Sequence, residues 1–154
     1  MTARCPALEP RGKSSARPAG APIEVVGAAI AYDGSDEVEF LQSDAFLGSR
    51  LAKSGDTGTI RVPATTLRQL LDSHSVGDFD LVCDIESTEL DMLRQDMPAL
   101  SRCAMAIIEV HPDAYLEKGA SEAAFLALLT EAGFDVVDRE ANVLAAHNRS
   151  FAAQ

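Results

Sequence analysis

Two short runs of this sequence place ionisable side chains where a strand should end. Asp80-Leu81-Val82-Cys83-Asp84-Ile85-Glu86 closes an apolar strand pattern on two carboxylates, and Ile107-Ile108-Glu109-Val110-His111-Pro112 closes another on a carboxylate and an imidazole. In open α/β sheets ligands bind beyond the carboxyl ends of the strands. If the two strands are neighbours, Asp84, Glu86, Glu109 and His111 converge on one crevice. Glu109 and His111, two apart, share a face. Plainer roles compete. Glu86 can sit at a helix start for the dipole alone, and His111 before a proline can simply end a strand. Glu89 and Asp91 are expected as solvated face and cap, and His74 and His147 as surface residues. A metal site from Asp84, Glu109 and His111 is the lesser alternative, and no metal is assigned.

The elements that must hold these residues follow from periodicity and punctuation. Ile23 to Ile30 is a compact apolar run, expected as a buried strand. After the Asp33-Gly34-Ser35 turn, Glu37 to Leu41 alternates, as does Thr59 to Val62, giving a β-hairpin with a loose loop from Ser43 to Gly58. Pro63 is expected to stop the second of these. Leu67, Leu70 and Leu71 take helical spacing through about Ser73. Phe79 to Cys83 is a short strand. A helix begins near Ser87 or Thr88, with Thr88 and Asp91 spaced as a capping box, and ends before Pro98. Ala104 to Val110 is the next strand, and Ser121 to Gly133 bounds a helix whose glycine takes the left-handed cap. Phe134 to Val137 and Val143 to Ala146 close the chain, joined too tightly for a crossover helix and so antiparallel. The alternation from Phe79 onward argues a parallel sheet with packed helices.

Composition narrows the function classes. The chain has 154 residues, 47% hydrophobic and 24% charged, with a net charge of −11. That suits one soluble domain. Residues 1 to 22 hold Arg4, Arg11, Lys13 and Arg17 against Glu9 alone, with few large apolar side chains, and are expected to be mobile. The domain is expected over residues 23 to 150. Its acidic surface repels phosphate backbones, which excludes nucleic acid as the natural partner. No apolar run approaches the roughly 20 residues that cross a bilayer, and no signal-peptide pattern opens the chain. A cytoplasmic protein without membrane contact is expected. Cys5, Cys83 and Cys103 show no CxxC spacing, against a zinc knuckle or disulfide framework. Cys83 and Cys103 are expected as small buried hydrophobes.

Three blocks together resemble a known family. Val62-Pro63-Ala64-Thr65-Thr66-Leu67, then Asp80 to Leu90, then Ile107-Ile108-Glu109-Val110-His111 are similar to the "VPxxTLD", "DLLKIDVEGAE" and "xxxEVH" segments of the FkbM methyltransferase domain. The resemblance covers about residues 23 to 147. It implies an α/β fold with a Rossmann-like class I methyltransferase sheet, strand order 3-2-1-4-5-7-6, here N-terminally truncated, with a β-hairpin insertion and an antiparallel last strand. It implies S-adenosylmethionine as cofactor and O-methyl transfer to a hydroxyl of a small molecule or sugar, a poor nucleophile until a base, any of Asp84, Glu86, Glu109 and His111, takes its proton. Asp84 and Glu86 fall on the Asp and Glu of the "IDVEG" block, Glu109 and His111 on "EVH". The family's usual Lys is Val82 here, and its Gly is Ser87. No GxG turn occurs in the sequence, so the glycine loop that should hold the methionine end is missing. Ala7-Leu8-Glu9-Pro10 resembles the strand whose acid accepts the ribose hydroxyls, which makes Glu9 the cofactor-binding candidate. The strands missing between Ile23–Ile30 and Phe79–Cys83 should leave a gap in the sheet. Inactivity of this chain alone, as a non-catalytic remnant or binding module, is the alternative.

Overall fold

The strand leading to Asp84 forms for the reason the sequence suggests. Phe79–Cys83 alternates buried and half-buried residues, with Phe79, Leu81 and Cys83 facing inward, as one covered sheet face demands. The computed structural model describes residues 23 to 42 and 49 to 151, together with the backbone of residues 7 and 8. Within these it is a mixed α/β fold with two sheets and five helices. Numbered along the chain, the strands are β1 (Ala7–Leu8), β2 (Ala29–Ile30), β3 (Glu37–Leu41), β4 (Arg50–Leu51), β5 (Thr59–Thr65), β6 (Phe79–Cys83), β7 (Cys103–Glu109), β8 (Phe134–Glu140) and β9 (Val143–Asn148). The helices are α1 (Leu67–Ser73), α2 (Glu89–Gln95), α3 (Met97–Leu100), α4 (Pro112–Glu117) and α5 (Glu122–Glu131).

The larger sheet has the order β1-β6-β7-β9-β8. β6 and β7 run parallel, with Cys83 opposite Ile108, so their carboxyl ends lie level. β9 runs antiparallel to both its neighbours. Leu81, Cys83, Ala106, Ile108, Leu144 and Ala146 form the inner face and meet Leu71, Leu90, Leu93, Phe125 and Leu129 from the helices in one core. Ser121 caps α5 through its side chain, which accepts from the Ala124 N–H, and Gly133 beyond it takes φ +98°, the conformation glycine adopts without steric cost. No helix among the described residues is long and apolar enough to cross a membrane.

The smaller sheet, β2-β5-β3-β4, carries its own core of Ala29, Ala31, Val38 and Phe40. A polar joint ties it to the larger unit. The Tyr32 hydroxyl donates to Asp96 Oδ2 at 2.9 Å, the Arg68 N–H donates to the same oxygen at 3.0 Å, and the Leu67 N–H donates to the Tyr32 oxygen at 3.3 Å. Asp96 is 3% exposed, so these bonds meet the cost of burying its carboxylate.

Several sequence expectations are corrected. Only Ala29–Ile30 of the run from Ile23 is strand, and Ile23 and Val25 are exposed. Apolarity without two paired neighbours is insufficient for burial. The loose hairpin loop contains β4, which pairs with β3. Pro63 lies inside β5 rather than ending it. Ala64 N–H donates toward β3 at Asp36 O, so the alternation turns Pro63 nitrogen to the other side, one residue before the β2 pairing begins. Thr88 is the N-cap of α2 but makes no side-chain capping bond, so the expected capping box does not form. The helix expected to end before Pro98 does so, at Gln95, and Pro98 then stands in the first turn of a further short helix, α3, where proline is tolerated. The sheet position beside β6, expected as a gap, is taken over two residues by β1 running antiparallel. Apart from that pairing, the mobile segment expected over residues 1 to 22 lies outside the described residues.

Candidate functional site

The chain places two acids, Asp84 and Glu86, just beyond the end of β6 by turning sharply. Ile85, 6% exposed, is anchored in the core. The chain then takes left-handed backbone at Glu86 (φ +53°) and Ser87 (φ +80°) before α2 begins. Two consecutive non-glycine residues in this region store strain of about 1–3 kcal/mol each. The parallel neighbour β7 ends at Glu109, Val110 is fully buried, and His111 caps the start of α4.

The result is a cluster around one imidazole. His111 Nε2 lies 3.7 Å from Asp84 Oδ1 and 3.6 Å from Glu86 Oε2, while Nδ1 lies 3.4 Å from Glu89 Oε1. Glu89, whose side chain is 0% exposed, accepts from the Ile85 N–H at 2.9 Å and from the Tyr115 hydroxyl at 3.4 Å. Tyr115 is itself buried and stacks on Phe125 with ring centroids 5.2 Å apart. Glu89 is therefore a buried carboxylate that braces the back of His111.

The electrostatics follow from this packing. The Glu89 carboxylate beside Nδ1 raises the His111 pKa above the ordinary imidazole value, partly opposed by burial and helped by Glu86 and Asp84. Burial raises the Glu86 carboxyl, against the lowering effect of His111, and the charges of Asp84, Glu89 and Glu109 add to the rise. Burial, then the charge of Glu89, pushes the Tyr115 phenol up and keeps it neutral.

Of the four residues expected to converge, Asp84, Glu86 and His111 do so. Glu109 stands at the same end of β7, level with the exit of β6, and its charge reaches Glu86. It is not among the ion-pair partners of His111. Glu9 lies outside the described residues. The sequence reading missed Glu89, which it placed on a solvated face. The signal was available: Glu86-Ser87-Thr88-Glu89 lies over the "EGAE" of the family segment, whose second acid was not carried across.

A cleft of about 400 Å³ opens between the smaller sheet and α2, lined by Tyr32, Glu37, Glu39, Leu51, Thr88 and Asp91 among others. It lies one residue beyond Ser87 and does not include the His111 cluster. Lys53 of the β4–β5 loop pairs with Glu117 of α4, while Arg50 on β4 grips Asp56. The smaller sheet is thus tied to the same end of the larger one that carries the acids.

The chain matches the family described as the methyltransferase FkbM domain over residues 21–136, well over half its length. Searches of curated proteins and of solved structures find no match. The family generally uses S-adenosylmethionine. The described residues supply no glycine turn for the methionine end of that cofactor. None of their glycines forms a GxG turn, and the neighbour of β6 is an antiparallel two-residue strand rather than a parallel one leading into a helix. The acids, by contrast, stand together at the tips of β6 and β7, and it is the family model that matches most of the chain. By that match, the chain belongs to the FkbM methyltransferase domain family.

Proposed function

We propose that this chain takes part in O-methyl transfer, and that the cluster at the tips of β6 and β7 activates the acceptor hydroxyl of a small molecule or sugar. One observation carries this reading. Two carboxylates from one strand end and an imidazole from its parallel neighbour meet within ion-pair distance, with a buried carboxylate holding the imidazole in place. A hydroxyl entering beside His111 can hydrogen-bond to the cluster and pass its proton to it, and general-base help of this kind is worth about 10²–10⁴-fold. Asp84, Glu86, Glu109 and His111 are the residues assigned to this task, with Glu89 positioning His111.

The sheet supports the family fold behind this reading. The order β6-β7-β9-β8, with β9 antiparallel between the others, corresponds to the 4-5-7-6 half of the parent order. We assign the chain to a Rossmann-like sheet on that correspondence.

The test is S-adenosylhomocysteine formation when the chain is given S-adenosylmethionine and a panel of hydroxyl acceptors. Product with at least one sugar or small-molecule alcohol is expected. No product across the panel overturns the proposal.

The absence of a glycine turn favours a second reading, a binding module that keeps the fold without the chemistry. Calorimetry with S-adenosylmethionine separates the two, because saturable heat supports the enzyme and silence supports the module.

A further inference from the structure

We propose that Asp84, Glu86 and His111 form a site for one divalent first-row transition-metal cation, represented by Mn²⁺. One ligand atom from each side chain lies within 4.8 Å of the others, and His111 Nε2 is 3.7 Å and 3.6 Å from the two carboxylate oxygens. Around a cation with bonds of about 2.1 Å, adjacent ligand atoms stand roughly 3 Å apart. The two imidazole–carboxylate pairs therefore need to close by about 0.6–0.7 Å and the carboxylate pair, which lies within 4.8 Å, by less than about 2 Å, which rotations of the two carboxylates supply. The carboxylates are 49% and 36% exposed as side chains, so they are free to turn. The set differs from the one the sequence suggested, with Glu86 in place of Glu109.

A second observation comes from behind the imidazole. His111 Nδ1 is wholly buried without a hydrogen bond of its own, 3.4 Å from the buried Glu89, which lies outside the ligand set and is anchored by the Ile85 N–H and the Tyr115 hydroxyl. A histidine that binds a metal through one nitrogen commonly gives its other N–H to a carboxylate held in this way, which fixes the tautomer and aims the free nitrogen. Here that nitrogen is Nε2, and it points at Asp84 and Glu86. Charge argues the same way. No Lys or Arg among the described residues pairs with Asp84, Glu86 or Glu89, so three carboxylates share one imidazole. One imidazole with two carboxylates suits the first-row divalent cations, among which Mn²⁺ is the harder, carboxylate-favouring probe, rather than calcium with its all-oxygen shell.

Three protein ligands leave coordination positions open on the exposed side. Under the transfer reading above, a bound cation would lower the pKa of an acceptor hydroxyl at one of them, its proton leaving to solvent while Asp84, Glu86 and His111 stay as ligands. Cation binding itself does not depend on that reading.

Titration of the full chain with Mn²⁺, followed by the electron paramagnetic resonance of the free ion, tests the site. One saturable Mn²⁺ per chain is expected. Asp84→Asn and Glu86→Gln should each weaken it by at least about tenfold, and Glu89→Gln by about tenfold through loss of the brace. Asp138→Asn, on an exposed strand, should leave it unchanged. Circular dichroism establishes that the variants fold. Absence of saturable binding overturns the proposal, as does saturable binding that neither Asp84→Asn nor Glu86→Gln weakens. Failure of methyl transfer with Mn²⁺ binding intact counts against the transfer reading alone.

Discussion

Ser87 shows how one residue can record a backbone requirement that its own side chain does not satisfy. It is 8% exposed with φ +80°, and the family segment carries glycine at this place. Left-handed backbone costs a side-chain-bearing residue about 1–2 kcal/mol, and glycine gives part of that back as unfolded-state entropy. Ser87→Gly should therefore stabilise the fold by about 1 kcal/mol, read from the midpoint of a urea transition. A loss of stability would show that the serine side chain does more than tolerate the turn. Glu89 makes the opposite case. A carboxylate with 0% exposure between a backbone N–H, a phenol and an imidazole could not be told from a helix-face acid by sequence periodicity, because its burial depends on α4. The proline of His111-Pro112 hinted at a strand end, yet it also opens that helix.

At the scale of elements, the joint between the two sheets rests on a few polar groups. Removing Asp96 leaves the half-buried Tyr32 hydroxyl and the Arg68 N–H without their acceptor. Asp96→Ala should cost about 3 kcal/mol, and Tyr32→Phe about 1–2 kcal/mol, by chemical denaturation. Equal small effects would mean that water replaces the joint. The β4–β5 loop has its own latch. The Arg50 side chain and the Lys53 N–H donate to Asp56 and lower its carboxyl to about 2. A carboxyl lowered in the folded state contributes its stabilisation above the unfolded value and loses it as pH falls through the folded one. The loop should therefore stay latched from neutral pH down to strongly acid solution and loosen only near pH 2. A carboxyl-carbon NMR titration of Asp56 should show that midpoint, and Arg50→Gln should move it up toward 3.8. An unmoved midpoint in the variant would remove Arg50 as the cause.

For the whole molecule, what could be read from the sequence was the part governed by local pattern. The strands Phe79–Cys83 and Cys103–Glu109, the helix after Ser121, the Gly133 cap and the antiparallel closing pair all follow from alternation, capping residues and turn chemistry. Their ends brought Asp84, Glu86 and His111 together because parallel neighbours share a carboxyl end. What could not be read depended on partners distant in the chain. Ile23 to Ala28 have the apolarity of a strand without a neighbour to pair with, the gap beside β6 is taken by residues far upstream, and α4 is too short to show a period. The account depends most on His111, the residue on which both carboxylates converge. Turnover of S-adenosylmethionine with the best hydroxyl acceptor should fall by about 10²–10⁴-fold in His111→Ala, with Asp138→Asn unchanged. A His111→Ala protein that folds and keeps its full rate would contradict it.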